Sequence, residues 1–222
     1  MDVLAAPASL PTRIRRRADV DRAVAHLQSR DRDLDRAVRL AGPVAFRMRR
    51  PGFESLLKIV IEQQLSTASA WAIWARMVAR VDPLTPQAVL RTSDRAFRAV
   101  GLSGPKIRYC RALSASVAAG ELRLDKLSRL ADDEAMTALT SVTGIGRWTA
   151  EIYLLFCLGR PDVWPVGDVA VQSALQSVRG LPSRPDADAM ETLGRRWRPV
   201  RGVAALILWN YYRHLKGRPV WR

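Results

Sequence analysis

Along almost the whole chain after Ala18, apolar residues recur at steps of three and four, and this period narrows the fold more than any other feature. Phe53, Leu56, Leu57, Val60, Ile61 and Leu65 paint one stripe on a helix, where a strand would need strict alternation. Ser66 stands where an N-cap opens the next helix, which carries Trp71, Ile73, Trp74, Met77 and Val78. Thr85-Pro86 and Ser93-Asp94 are further starts, because a hydroxyl accepts from helix amides and proline fits the first turn. Gly101, Gly120 and Gly159 are the expected stops. Further helices are expected over 19–29, 31–40, 106–118, 132–139, 148–158, 169–178, 187–195 and 200–215. The expected class is therefore all-α with short loops, about ten helices in all. A flexible basic tail is expected over 1–18, with the helical domain running over 19–222.

Charge narrows the partner. Lys and Arg total 36 against 21 Asp and Glu, a formal net charge of +15, which favours a polyanion such as nucleic acid. Of the basic residues 32 are Arg, with Lys only at 58, 106, 126 and 216, so GC-rich coding is an alternative source of the bias. Cys110 and Cys157 lie far apart with no second cysteine at short spacing. This excludes a disulfide framework, a cysteine zinc site and a four-cysteine iron–sulfur cluster. No apolar run approaches the roughly 18 residues of a membrane span. The expectation is a soluble, cytoplasmic protein, nucleoid-associated if bacterial. His26 and His214 are too separated to read as ligands.

The most informative stretch is Leu139-Thr140-Ser141-Val142-Thr143-Gly144-Ile145-Gly146-Arg147-Trp148-Thr149-Ala150. Two glycines one residue apart, between two helices, permit positive φ and a close backbone approach to a ligand. The amides opening the second helix then face an anion, and Arg147 adds charge beside them, so phosphate is the natural guest. The carbonyls of Thr140, Val142 and Ile145 form a set that would suit a structural Na⁺ or K⁺ bridging to that phosphate. An ordinary helix–helix turn would also carry a Gly-Ile-Gly.

Residues 139–150 resemble the hairpin of the helix-hairpin-helix DNA glycosylase superfamily, which joins this hairpin to a Gly/Pro-rich loop and an aspartate. Here that loop is Trp164-Pro165-Val166-Gly167-Asp168, its Asp falling 20 residues after Trp148. With Ile61-Glu62-Gln63-Gln64-Leu65-Ser66 and Arg196-Trp197-Arg198-Pro199-Val200-Arg201, the chain is similar to the 3-methyladenine DNA glycosylase II (AlkA-like) branch from about Phe53 to Trp209. Longer members place a mixed α/β domain before the helical part; the helical-looking chain before Phe53 is too short for it. What that domain gives the base pocket does not carry over, and Phe46 or Met48 is the candidate replacement.

The resemblance implies a two-lobed helical fold with the active site in the cleft between the lobes. It implies a monomeric enzyme acting on double-stranded DNA with alkylated bases, chiefly N3- and N7-alkylated purines, without a required cofactor. Asp168 would be the catalytic carboxylate, since cleaving an N-glycosidic bond develops positive charge on the deoxyribose; the same residue could simply N-cap the helix that follows. Trp148 and Trp209, with Tyr153 as an extra wall, would line the pocket for a flipped cationic base, while Trp71, Trp74 and Trp197 read as core. Gln64 would enter the duplex as the base leaves, with Leu65 beside it as the other wedge on chemistry alone. Gly144, Gly146, Arg147 and Thr149 would hold the DNA backbone. Bifunctional relatives carry Lys where this chain has Trp148, so the resemblance implies a monofunctional hydrolase. A non-catalytic helix-hairpin-helix DNA-binding protein is the rival reading, and a basic RNA-associated scaffold the third.

Overall fold

The computed structural model describes residues 9–218. Helices and two 3₁₀ turns make up all the regular structure among them, and no strand is present. They form two compact units, one joining the chain up to Met48 with the chain from Gly159 onward, the other running from Arg49 to Leu158.

The first unit holds α1 (Arg17–Arg30), α2 (Arg32–Ala41), α10 (Val169–Arg179), α11 (Ala187–Gly194) and α12 (Arg201–Leu215). Between Gly202 and Tyr211 every residue of α12 is buried except Trp209. A helix apolar on all sides must sit at the centre, and α12 packs against α1, α2 and α10. Asp31 ties the unit together. Its Oδ1 caps α2 by accepting from Asp33 and Leu34, while Oδ2 accepts from Trp197 Nε1 at 2.8 Å and Arg179 at 3.0 Å. Of the tail expected over 1–18, residues 1–8 lie outside the described residues. Ile14 is buried and donates its N–H to Gly159 O at 2.8 Å, and Arg17 already opens α1, so the ordered unit starts earlier than expected.

The second unit holds α3 (Phe53–Glu62), α4 (Thr67–Arg80), α5 (Pro86–Arg91), α6 (Asp94–Val100), α7 (Gly104–Ala118), α8 (Asp132–Thr140) and α9 (Arg147–Phe156). Leu56, Leu57, Ile59, Val60 and Ile61 of α3 are fully buried against α4, α7 and α9. Burying each such side chain contributes roughly 1.5–3 kcal/mol. The expected caps Ser66, Thr85 and Ser93 each accept an amide from three residues on. The apolar stripe overran its helix, however: α3 ends at Glu62, and Leu65 lies in the turn beyond it.

Candidate active site and DNA-binding hairpin

In the first unit the loop 164–168 is held from within. Val166 N–H donates to Trp164 O, Asp168 N–H to Pro165 O, and Gln172 Nε2 reaches back to Val166 O at 2.7 Å. Asp168 is 9% exposed, between an exposed Gly167 and a Val169 that is 54% exposed. Its Oδ1 accepts from the amides of Ala170 and Val171 at 3.0 Å each, capping α10, and from Trp209 Nε1 at 3.0 Å. Three N–H groups on one oxygen fix the carboxylate at the helix start, beside an indole that is only half buried. Thus the N-cap role and the pairing of Asp168 with Trp209 hold together.

Next along α12, Asn210 donates Nδ2 towards the carbonyls of Ala41, Gly42 and Pro43 at 3.1–3.3 Å. It thereby anchors the start of the irregular segment that carries Phe46 and Met48, both half buried. Nothing in the local sequence marked Asn210 or Gln172, because each acts on a segment that periodicity does not describe.

The hairpin in the second unit runs from the end of α8 into α9. Gly144 has φ +89, and a Cβ there would lie 2.2 Å from Tyr109 Cγ. Glycine is therefore required twice, by conformation and by the ring of Tyr109 on α7. Gly146 departs from the expected positive φ: at φ −86 and ψ 174 it is ordinary extended backbone, and an added Cβ meets nothing within 4 Å. Gly146 is exposed and forms the N-cap of α9, with Arg147 and a half-buried Trp148 on the first turn.

Arg147 donates Nε to the buried Glu151 Oε1 at 2.8 Å, so part of its charge offsets a carboxylate one turn on. Thr149 does not face outward. It is 2% exposed, and its Oγ1 accepts from Gln63 Nε2 at 2.7 Å. Thr140 closes α8, while Val142 and Ile145 lie in the turn beyond it. Val142 O accepts from Ile145 N–H at 3.0 Å and keeps a second lone pair, whereas Gly144 O is taken by Gln63 Nε2 at 2.9 Å. Neutral oxygen donors of this kind fit a hard monovalent cation.

Four residues after Thr149, Tyr153 lies on the same inward face of α9. It is fully buried, its hydroxyl accepts from Gly52 N–H at 2.9 Å, and burial pushes its phenol above the ordinary range. This makes Tyr153 a core residue bracing the start of α3, in place of the expected pocket wall. Gln64, in the turn after α3, is exposed at φ +55, the sole left-handed non-glycine residue among those described; Leu65 is half buried. Trp197 is core as expected, but Trp71 is 69% exposed and Trp74 only half buried, with Lys58 Nζ 5.5 Å above the Trp74 ring. The buried stripe of α4 is Ala70, Ile73 and Met77, which turns Trp71 away from the core.

A capped carboxylate beside an indole, and a glycine hairpin seated on a tyrosine, both carried by helices alone, define a class of DNA repair protein. Residues 57–199 match the HhH-GPD superfamily of base excision DNA repair proteins, and the chain belongs to that family.

Among solved structures, it is similar to the 3-methyladenine DNA glycosylase of Schizosaccharomyces pombe in complex with abasic DNA. That likeness has 29% identity and a TM-score of 0.79 and covers 84% of this chain and 94% of that one. A DNA-3-methyladenine glycosidase from Bacillus halodurans is 34% identical with a TM-score of 0.73, covering 86% and 88% of the two chains. A putative DNA-3-methyladenine glycosylase of Bacillus subtilis is 29% identical over 166 residues, covering 71% of this chain and 58% of that protein.

Proposed function

We propose that this protein is a monofunctional DNA glycosylase that binds double-stranded DNA, flips an alkylated base out of the stack and hydrolyses its N-glycosidic bond. N3- and N7-alkylated purines are the expected substrates. The observation that carries the reading is the convergence of Ala170 N–H, Val171 N–H and Trp209 Nε1 on Asp168 Oδ1. A rigidly oriented anion beside a half-exposed aromatic face suits a reaction whose transition state is cationic at the sugar and whose leaving group is a charged base. Asp168 stabilises that charge and orients the attacking water. Trp209 provides a face for the base beside that carboxylate, with Phe46 or Met48 as a further wall. A merely DNA-binding protein would need the hairpin but neither Asp168 nor Trp209.

The hairpin holds the DNA backbone through Gly146, the amides opening α9 and Arg147. The carbonyls of Thr140, Val142 and Ile145 would hold a Na⁺ or K⁺ there, which supplies positive charge toward a phosphate. Gln64 is the wedge: the strain of its left-handed backbone is of the kind that functional turns retain. Nucleophilic catalysis by lysine is disfavoured at Lys106, because its ammonium spends all three protons on the carbonyls of Val60, Ile61 and Gln63. No helix among the described residues is long and apolar enough to cross a membrane, and a monomer in the compartment that holds the DNA is the expected setting.

The test is incubation of the pure protein with methylated duplex DNA. Free 3-methyladenine and 7-methylguanine should appear, with strand breaks only after alkali and no adduct trapped by borohydride. Tight DNA binding without base release would favour the non-catalytic reading, and efficient trapping would assign a lyase.

A further inference from the structure

Gln64 holds a backbone conformation that costs an L-residue of order 1–2 kcal/mol, so something must hold the turn that carries it. Two side chains do so, neither of them adjacent to the hairpin in sequence. Lys106 Nζ donates to Val60 O at 3.1 Å and to Ile61 O and Gln63 O at 2.7 Å each, closing the carbonyl end of α3 and the residue just before Gln64. Those are the carbonyls a helix leaves without internal partners, and an ammonium at a helix C-terminus also complements its dipole. Gln63 turns its side chain the other way, donating Nε2 to Gly144 O at 2.9 Å and to Thr149 Oγ1 at 2.7 Å.

One turn beyond Lys106 on the same face of α7, Tyr109 carries its ring against Gly144. Beyond the turn, Ser66 caps α4 by accepting from Ser69 N–H. The strained residue is thus pinned on both flanks, and the flank facing the hairpin is pinned to the hairpin itself.

We infer that Gln63 and Lys106 are positioning residues for base extrusion, coupling the phosphate-holding hairpin to the turn that presents Gln64. The inference rests on the proposed roles of the hairpin and of Gln64. Its physical content is that Gly144 O and Thr149 Oγ1 fix Gln63, Lys106 fixes the main chain at Gln63, and Gln64 inherits a position registered to the DNA backbone. A wedge acts only if it meets the base stack at a fixed height, and a turn free to relax towards negative φ would move it. Neither residue touches the reacting atoms.

The test uses Gln63→Met, which keeps the length of the side chain, stays neutral and loses the N–H donors, and Lys106→Met, which keeps the stem and loses the ammonium. Extrusion is read from the fluorescence of a 2-aminopurine placed beside a non-cleavable 2′-fluoro alkylated nucleotide in a duplex, and excision from single turnover on methylated duplex. Affinity for undamaged duplex should stay within about twofold, since the hairpin's outward amides are untouched. Extrusion and duplex excision should each fall about tenfold, or ~1.4 kcal/mol of lost positioning.

A structural role alone would damage every background alike. Positioning predicts instead that Gln63→Met adds nothing to extrusion once Gln64→Ala has removed the wedge. Additive losses in that double variant, or wild-type extrusion by both single variants, would overturn the inference. Absence of extrusion and excision by the wild-type protein would overturn the functional reading beneath it instead. If one single variant does not fold, the other carries the same comparison with Gln64→Ala.

Discussion

Asp168 and Trp209 share a hydrogen bond, Nε1 to Oδ1 at 3.0 Å, across 41 residues of sequence. The same carboxylate oxygen caps α10, so structural and chemical roles meet on one atom and need variants that part them. Asparagine keeps an oxygen acceptor and is a good N-cap, whereas alanine removes both charge and cap. Asp168→Asn should retain stability within about 0.5 kcal/mol yet lose excision by roughly 10²- to 10³-fold in single turnover. Asp168→Ala should lose a further ~1 kcal/mol of stability in urea melts. Near-normal excision by Asp168→Asn would leave the residue as a cap alone.

The two hairpin glycines should behave differently. Gly144→Ala combines a positive φ with a Cβ 2.2 Å from Tyr109 Cγ and is expected to destabilise by about 2–4 kcal/mol in denaturant titrations. Gly146→Ala meets nothing in the protein and should melt within about 0.5 kcal/mol of wild type. Any loss of duplex affinity in Gly146→Ala then reports how closely DNA approaches that backbone. Equal destabilisation by the two would contradict the geometry.

Acid should weaken the first unit through Asp31. Burial raises its pKa, but the Trp197 N–H, the Leu34 amide and the Arg179 charge outweigh that and hold it below the usual value. Asp19 is also lowered, chiefly by the Arg15 amide. A carboxylate with a lowered folded pKa contributes its full stability above the unfolded pKa and loses it progressively as pH falls from there through the lower folded pKa. The melting temperature should therefore drop as pH falls below about 4, and the drop should be shallower in Asp31→Asn. An identical pH profile in that variant would rule out this source.

Both cysteines should be silent in the native protein. Cys110 and Cys157 are buried, and burial pushes each thiol up to about 12. A chromogenic disulfide reagent at neutral pH should react with neither until denaturant is added, and then with both. Rapid labelling of the native chain would show that one of these cores opens.

The helices were legible because their apolar positions repeat, and Ser66, Thr85 and Ser93 were legible because capping is local chemistry. The same local view misplaced several residues. In α4 the sets Ala70-Ile73-Met77 and Trp71-Trp74-Val78 are both apolar at helical spacing, so only packing decides which is core. Thr149 belongs to a recognisable motif and Tyr153 follows it by one turn, yet the pitch of α9 turns both inward. Gln63, Lys106 and Tyr109 could not be found this way: Lys106 meets the α3 carbonyls across more than 40 residues, and no local pattern encodes such a meeting. The one available hint was rarity, Lys106 being one of four lysines in a chain that otherwise uses arginine.

The split of the first unit across the two ends of the chain bears on biosynthesis. Residues 49–158 form one uninterrupted unit and can collapse as soon as they clear the ribosome, because their contacts lie within a continuous stretch. The earlier-made α1 and α2 have no such option, since their partner α12 starts at Arg201. Their apolar faces stay uncovered while the other unit is already formed, a window in which a nascent chain is open to chaperones and to aggregation. Asp168 and Trp209 lie in that late-completed unit, so the proposed chemistry is assembled last, after the hairpin that would hold the DNA.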